Sequence, residues 1–224
     1  MSRVVFDIET LGLPFESFDA KQQEYLLKFA KTEEERVEAV QKLNLTPLTA
    51  RVLAIAMLNP DTGVGKVYYQ GPGDRREASD DGMLEFVPLD EPALLGEFWK
   101  AVALYDQVIT FNGRAFDGPF LMIRSAMLGV KPTRNLVPYR YDSRNHCDLL
   151  DQMSFYGATR KFNLDFVCKS FGIRSPKEKG ITGLDMRELY EARRYREIAE
   201  YCMDDVRATA ELYRKWKEFL WFKE

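Results

Sequence analysis

The chain has 224 residues, 46% of them apolar, with 32 Lys and Arg against 35 Asp and Glu, a net charge of −3, one histidine and three cysteines. This excludes wholesale disorder, a membrane span (no run of about eighteen apolar residues occurs) and a multi-histidine metal site. Cys147, Cys168 and Cys202 form no Cys-x-x-Cys pair, so a disulfide scaffold or zinc knuckle is excluded and a reducing, cytoplasmic location is expected. Residues 3–8 are a short apolar strand, and acidic residues follow too soon for a signal peptide. Lys21 to Lys42 is charged and lacks Gly and Pro. Leu26, Leu27, Phe29, Val37, Val40 and Leu43 recur there at helical spacing, which predicts two short helices closed by Asn44 and Pro47. Arg51 to Leu58 and Gly65 to Gln70 flank the turn Asn59-Pro60-Asp61-Thr62-Gly63 and predict a hairpin. A short strand at Leu84 to Val87 follows within a Gly, Asp and Arg-rich loop.

From Glu91 helix and strand alternate. Helices are predicted at 91–103, 116–128, 149–156, 164–171, 185–190 and 193–216, with strands at 107–111 and 146–148. Hairpin-linked strands followed by strand–helix alternation predict an α/β fold with a mixed sheet. The last helix is amphipathic, with Ile198, Cys202, Val206, Leu212 and Trp216 on one side.

Acidic residues meet apolar neighbours at four places. In Phe6-Asp7-Ile8-Glu9-Thr10, alternation puts Asp7 and Glu9 on one face, where they repel unless a cation lies between them. In Asn112-Gly113-Arg114-Ala115-Phe116-Asp117, a strand turns into a helix with Asp117 at its start, an ordinary position for an N-cap. Tyr201 and Asp205, four apart, share a helix face, and Asp204 points about 100° away. In His146-Cys147-Asp148-Leu149-Leu150-Asp151, Asp148 reads as a cap on the next helix. Singly, each segment has an ordinary structural explanation.

Together, in this order, the first three segments resemble the three motifs of the DEDD superfamily of 3′–5′ exonucleases, tyrosine subclass. Asp7, Glu9 and Thr10 match Asp-x-Glu-Thr; Asn112, Phe116 and Asp117 match Asn-x-x-x-Phe-Asp; Tyr201 and Asp205 match Tyr-x-x-x-Asp. The stretches Tyr139-Arg140-Tyr141, His146 to Asp151, Ser154 to Ala158 and Ile198 to Cys202 resemble bacterial exonucleases related to the proofreading domain of family-B DNA polymerases. His146 and Asp151 also fit the His-x-x-x-x-Asp spacing of a sister subclass. They follow Asp117 too closely, and they would leave Tyr201 and Asp205 without a role.

The resemblance implies a ribonuclease H-like α/β fold with a mixed sheet of five or slightly more strands. It implies one exonuclease domain over 1–224 with a helical insertion at about 15–48. That insertion fits either a lid over the site or a plain surface addition. It further implies a two-metal hydrolase using Mg2+ or Mn2+, two ions per site. Asp7 would bridge the ions, Glu9 and Asp205 would serve the water-side ion, Asp117 the other, and Tyr201 would orient the water. Expected substrate contacts are Thr10, Leu11, Asn112, Phe116, Arg140 and Tyr141. Further basic candidates are Arg124, Lys131, Arg134, Arg144, Arg160 and Lys161, near the aromatics Tyr139, Phe155 and Tyr156. The substrate would be the 3′ end of single-stranded nucleic acid, DNA ahead of RNA, yielding 5′-mononucleotides. An RNA exonuclease, a non-catalytic binding module and a small-nucleotide phosphatase are the rival readings. A stand-alone enzyme, or one recruited to a replication or repair partner, is expected. Residues 118–183 carry a charge of +6, leaving −9 elsewhere. Mild overall acidity therefore excludes tight nonspecific coating of nucleic acid, not nucleic acid as substrate.

Overall fold

The computed structural model describes residues 1–73, 75–175 and 185–222. Among them seven strands form one sheet: β1 (Arg3–Gly12), β2 (Ala50–Leu58), β3 (Gly65–Gln70), β4 (Glu77–Ala78), β5 (Leu84–Leu89), β6 (Gln107–Thr110) and β7 (His146–Asp148). Across the sheet they run β4-β5-β3-β2-β1-β6-β7. The hairpin of β2 and β3 is antiparallel, as its turn chemistry predicts. Asn59 Oδ1 accepts the N–H groups of Asp61 and Thr62, and Gly63 supplies the positive φ of 76°. β1 pairs antiparallel with β2 but parallel with β6, and β6 parallel with β7. The carboxyl ends of β1, β6 and β7 therefore open at the same edge, where ligands of α/β sheets bind.

Alternation along β1 feeds two cores. Val4, Phe6 and Ile8 pack with α3 (Glu91–Val102) and α4 (Asp117–Met127), through Leu94, Phe98, Trp99, Phe120 and Leu121. Val5 and Leu11 pack on the opposite face beneath α8 (Tyr195–Phe219), through Ile198, Cys202, Val206, Leu212 and Trp216. The register pairs Asp7 with Ala56 and Glu9 with Ala54. A small neighbour beside each carboxylate leaves room between sheet and α8 at that point.

Apart from β4, which lies in a stretch read as loop, the other elements fall close to their predicted positions, with three differences. First, α1 (Ala20–Leu26) and α2 (Glu33–Gln41) bury no residue, and Phe29 is 84% exposed. Capping boxes at Asp19/Gln22 and Thr32/Glu35 hold them, not the apolar spacing. The segment is anchored by Leu43, which is buried, and by Thr10 Oγ1 donating to the Asn44 carbonyl at 2.8 Å. Second, the helix predicted over 149–156 breaks. α5 (Leu149–Met153) ends early, and the chain turns through Phe155–Gly157 with positive φ at all three residues. Third, β5 runs two residues past its predicted end and pairs parallel with β3. α6 (Leu164–Ser170) and α7 (Met186–Glu191) complete the helices. No described helix is long and apolar enough to cross a membrane.

Candidate active site

Three elements converge at the carboxyl end of β1. Carboxylate oxygens of Asp7 and Glu9 and the Cys202 sulfur all lie within 4.8 Å of one another. The Cys202 thiol donates to the Asp7 main-chain carbonyl at 3.4 Å, which ties α8 to β1 beside the carboxylates. On the same helix, Tyr201 is buried and Asp205 half-buried. Asp117 does not cap its helix; Phe116 occupies that position and makes no side-chain cap. Asp117 is instead the first helical residue, and its Oδ1 accepts the Ile8 N–H of β1 at 3.1 Å. It is only 2% exposed.

The charges of these groups act on one another. Burial raises the Asp7 carboxyl well above the ordinary range, and the charges of Asp117, Asp205 and Glu9 add to the rise. Burial also raises Glu9, followed by Asp205 and Asp117. Asp117 is pushed up to about 7, first by burial, then by the charges of Asp148 and Asp205, against hydrogen bonds from two main-chain N–H groups. Burial, then Asp205, Glu9 and Asp7, hold the Tyr201 phenol above its usual value. Among the described residues no Lys or Arg pairs with Asp7, Glu9 or Asp117. Oxygen donors that repel one another at one point fit a divalent cation.

A polar network behind β6 fixes the loop that delivers Asp117. Asp148 accepts the N–H groups of Asn112 and Arg114, both at 2.9 Å, and caps α5 through Leu150 at 3.0 Å. Asn112 sits at φ 66°, a left-handed conformation that asparagine tolerates. Gly113 donates to Thr110 Oγ1 at 3.2 Å, and a Cβ there would stand 2.5 Å from the Thr110 side chain. His146 Nδ1 lies 2.7 Å from the Leu136 carbonyl, which can only accept, so Nδ1 carries the proton. Nε2 is then the acceptor for the Thr110 hydroxyl at 2.8 Å. Burial lowers the His146 pKa to about 4, which keeps this arrangement neutral. His146 is 1% exposed, and both its ring nitrogens are taken up by Thr110 and Leu136. Asp151, its partner in the sister spacing, is engaged by Arg140 and Lys161, each at 3.3 Å, and lies 4.0 Å from Arg114.

The expected substrate contacts divide. Thr10 and Leu11 line a cavity of about 550 Å³ with Phe15, Asn44 and Arg187, although Leu11 is mostly a core side chain. Phe116 packs against Phe120 at 5.6 Å, while Tyr141 is exposed. Arg124 and Arg134 are corrected. Arg124 forms a buried two-point pair with Glu91 at 2.8 and 2.9 Å. Arg134 donates to the carbonyls of Tyr105, Asp106 and Asn145. Both are occupied in holding the fold. Sequence reasoning missed the bracing by Asp148, Thr110 and Gly113. The cap at Asp148 and the Gly113–Thr110 contact are local, whereas the bonds from Asn112 and Arg114 to Asp148 span more than thirty residues.

Residues 49–220 match the family model described as predicted 3′–5′ exonucleases related to the exonuclease domain of PolB, and the chain belongs to that family. The match begins after Asp7 and Glu9, so the tie between that pair and the rest of the site is geometric. DNA polymerase 1 of Saccharolobus solfataricus is 25% identical over 218 residues, spanning 83% of this chain and 25% of the polymerase. The family B DNA polymerase of Pyrobaculum calidifontis superposes with a TM-score of 0.59 at 21% identity, over 98% of this chain and 25% of that one. The chain thus spans a quarter of the length of each polymerase, and its fold is the ribonuclease H-like fold of their exonuclease domain.

Proposed function

We propose that the chain is a metal-dependent exonuclease that hydrolyses the terminal phosphodiester at the 3′ end of single-stranded DNA and releases 5′-mononucleotides. The observation that carries the reading is the convergence of Asp7, Glu9, Asp117 and Asp205, each from a segment that fits an exonuclease motif, in one mutually repelling field. The four carboxylates would hold two Mg2+ or Mn2+ ions. When bound, such ions supply a water acidic enough to attack at neutral pH and neutralise charge on the departing oxygen.

The chain's own residues do the remainder. Asp117 is held rigid by the Ile8 N–H and by its braced loop, which fixes one wall of the site. Tyr201 lies in the field of Asp205, Glu9 and Asp7 with its pKa raised, so it keeps its proton and is no general base. Its hydroxyl positions the attacking water by hydrogen bonding. His146, neutral and sealed behind Thr110, takes no part in proton transfer, which favours the tyrosine subclass over the histidine one. DNA is preferred to RNA on the relation to DNA polymerases. The whole chain, 1–224, would act as one domain with 15–48 inserted beside the site.

The test is magnesium- or manganese-dependent release of mononucleotides from 5′-labelled strands of DNA and RNA. Progressive shortening of DNA, abolished by Asp7→Ala, is expected. No shortening of any strand with either metal would sink the enzyme reading; preference for RNA would redirect the substrate.

A further inference from the structure

Beyond the carboxylates, the surface between β7 and α6 carries an unusual strip. Tyr139 and Tyr141 meet edge to face with centroids 5.6 Å apart, and Tyr141 meets Tyr156 likewise at 4.6 Å. These rings are not core: Tyr139 is 74% exposed, Tyr141 58% and the adjacent Phe155 62%. The backbone that presents them is strained. Phe155 and Tyr156 both adopt left-handed φ, 49° and 58°, where bulky residues are rare, and they do so consecutively. Cations are interleaved with the rings. Arg140 donates to the Tyr156 carbonyl at 3.3 Å, and Arg140, Lys161 and Arg114 surround the single carboxylate of Asp151. Arg140 and Lys161 are half-exposed while the Asp151 carboxylate between them is buried, so the strip presents cations to solvent. Arg114 belongs to the loop that leads into Asp117, and its contacts with Asp148 and Asp151 link the base of the strip to that loop.

Exposed π-faces, backbone strain spent on displaying them, and excess positive charge are together the chemistry of a stacking surface for an unpaired polyanionic strand. We propose that Tyr139, Tyr141, Phe155 and Tyr156, with Arg140 and Lys161, form a track on which bases upstream of the 3′ end stack. The track would select single strands, because paired bases offer no free faces. This rests on the exonuclease reading of the neighbouring carboxylates. It assigns to the +6 segment a specific contact surface in place of general attraction.

The experiment compares wild type with a Tyr141→Ala/Phe155→Asn double variant, asparagine being chosen because it tolerates the left-handed backbone. With magnesium, kcat/KM is measured on a dinucleotide and on a long oligothymidylate. Loss of stacking at two rings lowers the ratio of long to short by at least about thirtyfold. Tyr141→Phe, which keeps the ring, restores the ratio in a Phe155 wild-type background. An unchanged ratio in the double variant overturns the track, as does equal loss on both substrates. If wild type hydrolyses neither substrate, the exonuclease reading has failed, and the track is judged by anisotropy of labelled oligothymidylate without divalent cation. Weaker binding by the double variant then supports it, and equal binding overturns it.

Discussion

Two groups of acids lie at the same end of the sheet and are treated in opposite ways. Asp148 and Asp151 are satisfied: the first by three main-chain N–H groups, the second by three cations. Asp7, Glu9 and Asp117 repel one another and Asp205, with the Ile8 N–H and its own N–H reaching Asp117 and no cationic side chain among the described residues paired to those three. Folding gains nothing from such repulsion, which is why the proposed metal site is placed at this group. The satisfied group marks the scaffold that aims it. Acid content alone would rank the two alike; their partners separate them.

The sharpest way to break this contrast is to neutralise one acid from each group. Asp7→Asn should cut strand hydrolysis on the order of a thousandfold while raising the metal-free melting temperature, because it relieves repulsion. Rate assays beside thermal melts in EDTA check both halves, and a destabilised Asp7→Asn protein would contradict the reading. Asp148→Ala should instead lower both stability and activity. It strips an acceptor from buried N–H groups, at about 2–3 kcal/mol, and lets the Asn112–Arg114 turn drift, lowering kcat by roughly tenfold. Urea titration with single-turnover kinetics measures the pair of effects.

The same contrast has a pH signature. His146 is neutral in the fold, with its pKa lowered to about 4 from the usual 6.5. Its contribution is therefore present above pH 6.5 and is lost as pH falls towards 4, amounting to about 2 kcal/mol between pH 8 and 5. His146→Gln should flatten that acid limb in denaturant titrations across pH. Asp117 works in the other direction. Its pKa is raised to about 7, so its contribution is complete below the unfolded value and lost as pH rises through 7. Without divalent cations the protein should lose about 1 kcal/mol between pH 6 and 8 on this account. Saturating magnesium should remove that loss, so the metal-induced rise in melting temperature is larger at pH 8 than at pH 6.

Much of this was legible in the residues. Period-two alternation at Val4–Glu9, the turn at Asn59–Gly63 and the helical period after Tyr195 are local signals, and local backbone physics enforces them. The split at Phe155 was not legible, because nothing in Ser-Phe-Tyr-Gly-Ala announces two consecutive left-handed aromatics. Nor was the fate of Arg124 and Arg134. A long basic side chain reads the same in sequence whether it faces solvent or, like Arg124, pairs with an acid thirty-three residues away.

The chain's own order of residues determined which side chains could do chemistry here: one histidine, three isolated thiols and several apolar-flanked acids left carboxylates as the carriers, and spacing put each acid on a definite face of its element. Only the tertiary structure decided which acids meet. Parallel pairing of β1 with β6 and the packing of α8 over Ala54 and Ala56 bring together residues nearly two hundred positions apart. The same packing gives Asp148 and Asp151 main-chain and cationic partners of their own, because hydrogen bonding and repulsion depend on distance in space and not on separation along the chain.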